Sequence, residues 1–120
     1  MIISEIKQTV GYISLSDCAK LNALSAEMDD EIVTCLKDFE EKKIRAVVLK
    51  ASSNKHNVWS SGHDVNELPV GHRDPLGYFD HLEVLLHAIN RFPAPVIAQV
   101  HGSVSGGACY LIMCCYMVIA

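Results

Sequence analysis

The chain has 120 residues, half of them hydrophobic and a fifth charged, with a formal net charge of −4. That length and composition suit one globular domain at most, with a real core, and exclude a disordered or low-complexity chain. The acidic balance and the lack of any basic run argue against nucleic acid as a partner.

The longest apolar stretch, 108–120, is too short and too interrupted by Cys and Tyr to span a membrane. The first ten residues, MIISEIKQTV, lack the basic-then-apolar order of a secretory leader, so the expected compartment is the cytoplasm. The five cysteines, Cys18, Cys35, Cys109, Cys114 and Cys115, are odd in number and form no C-x-x-C pair. They are expected to be reduced, buried thiols. His and Cys share no ligand spacing, so no metal site is expected.

In chain order, TVGYISL at 9–15 predicts a strand, and residues 1–7 can complete a hairpin with it. Residues 17–22 follow as a polar loop. Ser25 is placed as a helix N-cap, with Glu27 and Asp29 in the first turn. Met28, Ile32, Leu36 and Phe39, with Val33 and Cys35 beside them, recur at helical spacing, and Lys42 and Lys43 close the helix. AVVLKA at 46–51 is a nearly continuous apolar strand, a pattern expected for a strand covered on both faces.

WSSGHDVNEL at 59–68 then brings polar groups and a glycine to the end of an apolar segment. After a Gly- and Pro-punctuated loop, Asp74-Pro75 is the expected cap of a long helix. Leu76, Phe79, Leu82, Leu85, Leu86, Ile89 and Phe92 mark its apolar face, and FPAP at 92–95 stops it. His87 beside that face is expected to be half-buried; His56, His72, His81 and His101 read as surface or turn residues. Residues 96–101 predict a second buried strand, GSVSGGA at 102–108 leads into a third helix from about Ser105, and 117–120 begin another strand. The sequence stops within that apolar segment, so the chain is expected to be a fragment or truncated product. Alternating strands and helices give an α/β fold with mainly parallel pairing.

In open α/β sheets ligands bind beyond the carboxyl ends of strands. The segments 60–64 and 102–107 occupy that position. Gly106 and Gly107 open a helix whose first N–H groups have no intrahelical partner, and such donors suit an anion or a developing oxyanion. Equally, these glycines permit close helix–strand packing, and the residues alone leave both readings open. A phosphate loop is excluded because no lysine follows the glycines. The serine-hydrolase elbow fails because Val104 occupies the nucleophile's place. The dinucleotide fingerprint G-x-G-x-x-G is absent, and His63-Asp64 has no nameable partners as a metal pair.

KLNALS (20–25), SSGHDVNEL (60–68), RFPAPVIAQVHG (91–102) and SVSGGA (103–108) together resemble, in order and spacing, the enoyl-CoA hydratase/isomerase or crotonase superfamily. The resemblance covers the whole chain, 1–120, which would be the N-terminal part of a crotonase-like domain. It implies repeated β-β-α and βα units with mainly parallel buried strands. His63 after Gly62, and Glu67-Leu68-Pro69 followed by GHRDPL at 71–76, favour the branch that decarboxylates methylmalonyl-CoA.

By that resemblance the backbone N–H groups of His63 and Gly107 form the catalytic oxyanion hole. Lys20, Asn22, Ala23 and Leu24 contribute to the pocket for the nucleotide end, while His63, Asp64, Val65, Asn66, Glu67, Gly106 and Gly107 line the site of the acyl-CoA thioester. Coenzyme A is part of the substrate, so no separate cofactor is implied, and the full-length assembly is expected to be a trimer or hexamer. Hydratases of the family commonly carry a glutamate three positions beyond the donor glycine; here that place holds Tyr110, and a phenol is a poor base at neutral pH. Tyr116 likewise replaces a usual acidic residue. The implied reaction is methylmalonyl-CoA to propionyl-CoA through an enolate. The alternatives are an enoyl-CoA hydratase/isomerase, or a catalytically inert truncated fragment that binds acyl-CoA.

Overall fold

The computed structural model describes residues 1–53, 55–62, 64 and 80–120. Strands β1 (Ile2–Lys7) and β2 (Val10–Leu15) form an antiparallel hairpin, and helix α1 (Ala26–Glu41) follows. Next come β3 (Ala46–Ala51), β4 (Val58–Ser60), α2 (His81–Arg91), β5 (Val96–Gln99), β6 (Ser103–Val104), α3 (Gly107–Met113) and β7 (Met117–Ile119). The main sheet has the order β1-β2-β3-β5-β7, parallel at every pairing after the hairpin. Strands β4 and β6 pair in parallel as a separate two-stranded sheet.

Helix α1 forms as its sequence pattern dictates. The Ser25 side chain accepts a hydrogen bond from the Met28 N–H at 3.1 Å, which satisfies one of the free donors of the first turn. Met28, Ile32, Leu36 and Phe39 lie on one stripe and are all buried. At the other end Lys42 caps the helix and pairs with Asp38 at 3.0 Å. Asp80 caps α2 by accepting from the Leu82 N–H at 3.0 Å, and Leu82, Leu85 and Ile89 enter the same core as the α1 stripe.

Sheet register explains where that core sits. Gly11, Val47 and Val96 lie side by side, as do Ile13, Leu49 and Ala98, and then Leu15 and Ala51. All eight are buried. On the opposite face the row Tyr12, Val48 and Ile97 is only half-buried. The expected cover on both faces of strand 46–51 is therefore corrected to one face, because α1 and α2 contribute to a single cluster against it. The open face is dressed by the Lys7 and Lys50 amines, 5.6 and 5.5 Å from the centre of the Tyr12 ring.

Other expectations move by small amounts. Helix α2 begins at His81, and the Asp74-Pro75 cap with Leu76 and Phe79 lies outside the described residues. The polar loop 17–22 contains a 3-10 turn, Cys18–Lys20. Strand β5 ends at Gln99 and α3 starts at Gly107. His87 is exposed, facing Glu83 at 3.8 Å one turn away.

The cysteines are all free, but Cys18 and Cys109 are exposed and the other three are half-buried rather than enclosed. Burial, and then the neighbouring Cys114, push the Cys115 thiol up to about 12. Burial likewise raises Cys35. No helix among the described residues is long and apolar enough to cross a membrane.

Candidate functional site

Three segments meet beyond the ends of the strands. The first, residues 20–24, turns back on itself at Leu21 and Asn22, both at positive φ. Asn22 is buried and holds this turn: its Oδ1 accepts from the Asp17 N–H at 2.7 Å, and its Nδ2 donates to the Trp59 carbonyl at 3.0 Å. Residues 59–64 run beside it. The Ser61 N–H donates to the Leu21 carbonyl at 3.0 Å, Leu24 N–H to the Gly62 carbonyl at 2.7 Å, and Asp64 N–H to the Leu24 carbonyl at 3.3 Å. Lys20 Nζ lies 3.7 Å from Asp64 Oδ2 across the same seam.

The third segment, 103–107, closes from the other side. Pairing of β4 with β6 brings it there, and the Ser105 N–H donates to the Ser60 carbonyl at 3.1 Å. Contact is so close that only glycine fits at position 62. Its φ is +96°, and a Cβ there would stand 2.5 Å from the Ser105 carbonyl oxygen and 3.1 Å from the Gly107 nitrogen. A Cβ on Gly106, φ +56°, would lie 3.9 Å from the Gly62 Cα.

Gly107 is the first residue of α3. The next two amides turn inward to local carbonyls, Ala108 N–H to Ser105 at 3.2 Å and Cys109 N–H to Gly106 at 3.0 Å. Among the described residues no acceptor takes the Gly107 N–H, and the residue is half-buried beside the Gly62 turn. A donor left free there, against a glycine turn too tight for a side chain, is an arrangement able to hold a small electronegative atom.

Nearly the full length of the chain matches known proteins at the level of sequence and fold. Residues 5–120 match the family described as enoyl-CoA hydratase/isomerase. The chain belongs to the enoyl-CoA hydratase/isomerase family. It is 43% identical over 111 residues to methylmalonyl-CoA decarboxylase of Escherichia coli (strain K12), covering 92% of this chain and 42% of that protein. It is 32% identical to a probable mitochondrial enoyl-CoA hydratase of Dictyostelium discoideum, covering 98% of this chain and 41% of that one. It thus spans about two fifths of the length of these curated relatives. Among solved structures, a methylmalonyl-CoA decarboxylase complexed with 2S-carboxypropyl-CoA superposes with a TM-score of 0.89 at 39% identity, over 98% of this chain and 44% of that one.

Within this enoyl-CoA hydratase/isomerase domain the residues singled out from sequence fall into three groups. Lys20, Asn22, Ala23, Leu24, Asp64, Gly106 and Gly107 belong to the three adjoining segments. Of the first four, Lys20 alone is exposed, whereas Asn22, Ala23 and Leu24 are buried in the seam. His63, Val65, Asn66 and Glu67 lie outside the described residues.

Tyr110, the residue standing at the hydratase glutamate position, is 64% exposed on α3. Tyr116 is exposed too, so its bulk meets no packing conflict among the described residues. Sequence reasoning placed Ser60 in the 60–64 loop but gave its side chain no role; it is fully buried and touches all three segments. The sole signal was a hydroxyl residue two places before an obligatory glycine.

Proposed function

We propose that this chain is the part of an acyl-CoA lyase that holds the thioester oxygen, and that the reaction served is decarboxylation of methylmalonyl-CoA to propionyl-CoA. The observation that carries this reading is the juxtaposition of the Gly62 turn with the unclaimed amide of Gly107. The second donor is the amide of His63. That residue lies outside the described residues; the turn before it is anchored by the Gly62 carbonyl, which accepts from the Leu24 N–H at 2.7 Å.

The chemistry fits what two amides can supply. As the bond from the α-carbon to the carboxylate breaks, carbon dioxide leaves and the electron pair moves toward the thioester carbonyl. Negative charge then gathers on the thioester oxygen, where fixed N–H donors lower its energy; each such donor is worth about 10²–10³ in rate. Protonation of the α-carbon gives propionyl-CoA. No side chain has to remove a proton first, so Tyr110 in place of a carboxylate is tolerated. Coenzyme A is part of the substrate, and the pathway needs no other cofactor.

Support also comes from the 43% identity to the Escherichia coli decarboxylase. Similarity to probable hydratases at 32% and 30% keeps a second reading in play, but water addition across a double bond would lack the carboxylate at position 110. Incubating folded chain with methylmalonyl-CoA should release propionyl-CoA faster than buffer alone, while crotonyl-CoA stays unhydrated. Failure of folded chain to exceed buffer would overturn the decarboxylase reading. Crotonyl-CoA hydration that rises in Tyr110→Glu would favour the hydratase instead.

A further inference from the structure

Ser60 is fully buried, and every polar atom it carries past its own N–H is committed to the three-segment junction. Its hydroxyl donates to the Asn22 carbonyl at 2.7 Å and accepts from the Gly62 N–H at 3.2 Å. Its carbonyl accepts from the Ser105 N–H at 3.1 Å. A hydroxyl offers one donor and two acceptor lone pairs, so a single oxygen joins the 20–24 segment to the glycine turn. The same residue's backbone joins that turn to the segment carrying Gly107.

We infer that Ser60 is a positioning residue for the proposed oxyanion hole: its hydroxyl locks the Gly62 amide so that the turn keeps its contact distance from Gly107. The inference rests on the reading of the site given above. Without the hydroxyl, the Gly62 N–H is left in a buried place with no acceptor, and it must rotate to find one. Rotation is not free there. Gly62 already sits where a single added carbon would come within 2.5 Å of Ser105 O and 3.1 Å of Gly107 N, so any turn of its backbone changes the spacing between the two loops. Misplacement of about 1 Å in such a constellation costs about 10² in rate.

Thr34, exposed on α1 and outside the three segments, supplies the control.

The test uses propionyl-CoA labelled with carbon-13 at the thioester carbonyl, bound to the 120-residue chain, with the carbonyl stretch read by infrared difference spectroscopy. In the wild type and in Thr34→Ala the stretch should fall to lower frequency on binding. In Ser60→Ala most of that fall should be lost while affinity for the thioester is largely kept, and decarboxylation should slow about 10- to 100-fold with KM little changed. Should Ser60→Ala not fold, Ser60→Cys, close in volume with a weaker acceptor, is expected to lose part of the shift.

A full shift in either folded Ser60 variant, with the wild type shifted, overturns the role of Ser60 and leaves the hole standing. A wild type that shows no shift, or does not bind the thioester, overturns the hole and the positioning role together.

Discussion

One methyl group at position 62 tests the central contact of the site. Gly62→Ala places a carbon 2.5 Å from the Ser105 carbonyl oxygen, a backbone atom that cannot swing aside, on a residue held at φ +96°. The backbone conformation costs about 1–2 kcal/mol for an L-residue, and overpacking adds about 1–3 kcal/mol. Gly106→Ala meets the conformational strain without the collision, since its Cβ finds nothing closer than 3.9 Å. In urea melts Gly62→Ala should therefore lose more stability than Gly106→Ala, and whatever folds should bind acyl-CoA more weakly than wild type. Equal stability for the two variants would mean that the 60–64 and 103–107 segments do not abut.

At the scale of elements, helix and sheet pack closely where Gly11 of β2 faces Phe39 of α1. A Cβ on Gly11 would stand 2.5, 2.7 and 2.9 Å from three atoms of the Phe39 ring, and that ring is 2% exposed with no free direction to move. Gly11→Ala should cost about 1–3 kcal/mol. Phe39→Leu in the same chain should recover part of the loss, so that the double variant is less damaged than the sum of the two single ones. Strict additivity in thermal melts would refute the contact.

Helix α1 itself was legible beforehand, because the spacing Met28–Ile32–Leu36–Phe39 and the Ser25 cap are local signals and agree. Strand 46–51 was equally plain. Strands β4 and β6 were not, since three residues and two carry no period to read. The start of α2 was expected at Asp74-Pro75, which lies outside the described residues, and Asp80 caps the helix from His81. The glycines of the two site loops stood out in the sequence, whereas their meeting was expected only through the family resemblance. It depends on β4 pairing with β6 and on the Ser105 N–H reaching the Ser60 carbonyl, and no local pattern encodes a tie of that range.

For the molecule as a whole, among the described residues, the sheet buries one face under two helices and leaves the other half-open. Stability therefore rests on a single apolar cluster, and groups packed at its margin feel any change in charge. Cys115 is such a group. It packs against the cluster beyond α3, its Sγ donates to the Leu111 carbonyl at 3.5 Å, and its thiol is raised from 9.0 to about 12, chiefly by burial.

In the unfolded chain this thiol ionises near 9.0, but in the fold it holds its proton until about 12. Above pH 9 the unfolded state therefore sheds this proton first, which draws the equilibrium toward unfolding. Stability linked to Cys115 is complete below that pH and is lost progressively as pH climbs toward 12. All groups other than Cys115 are common to wild type and Cys115→Ala, so the difference between the two isolates the part linked to Cys115. Urea unfolding of both proteins at pH 8, 9.5 and 11 should show the wild-type advantage shrinking with pH. A difference that stays constant across the three values would show that the thiol is open to solvent and that the cluster ends short of it.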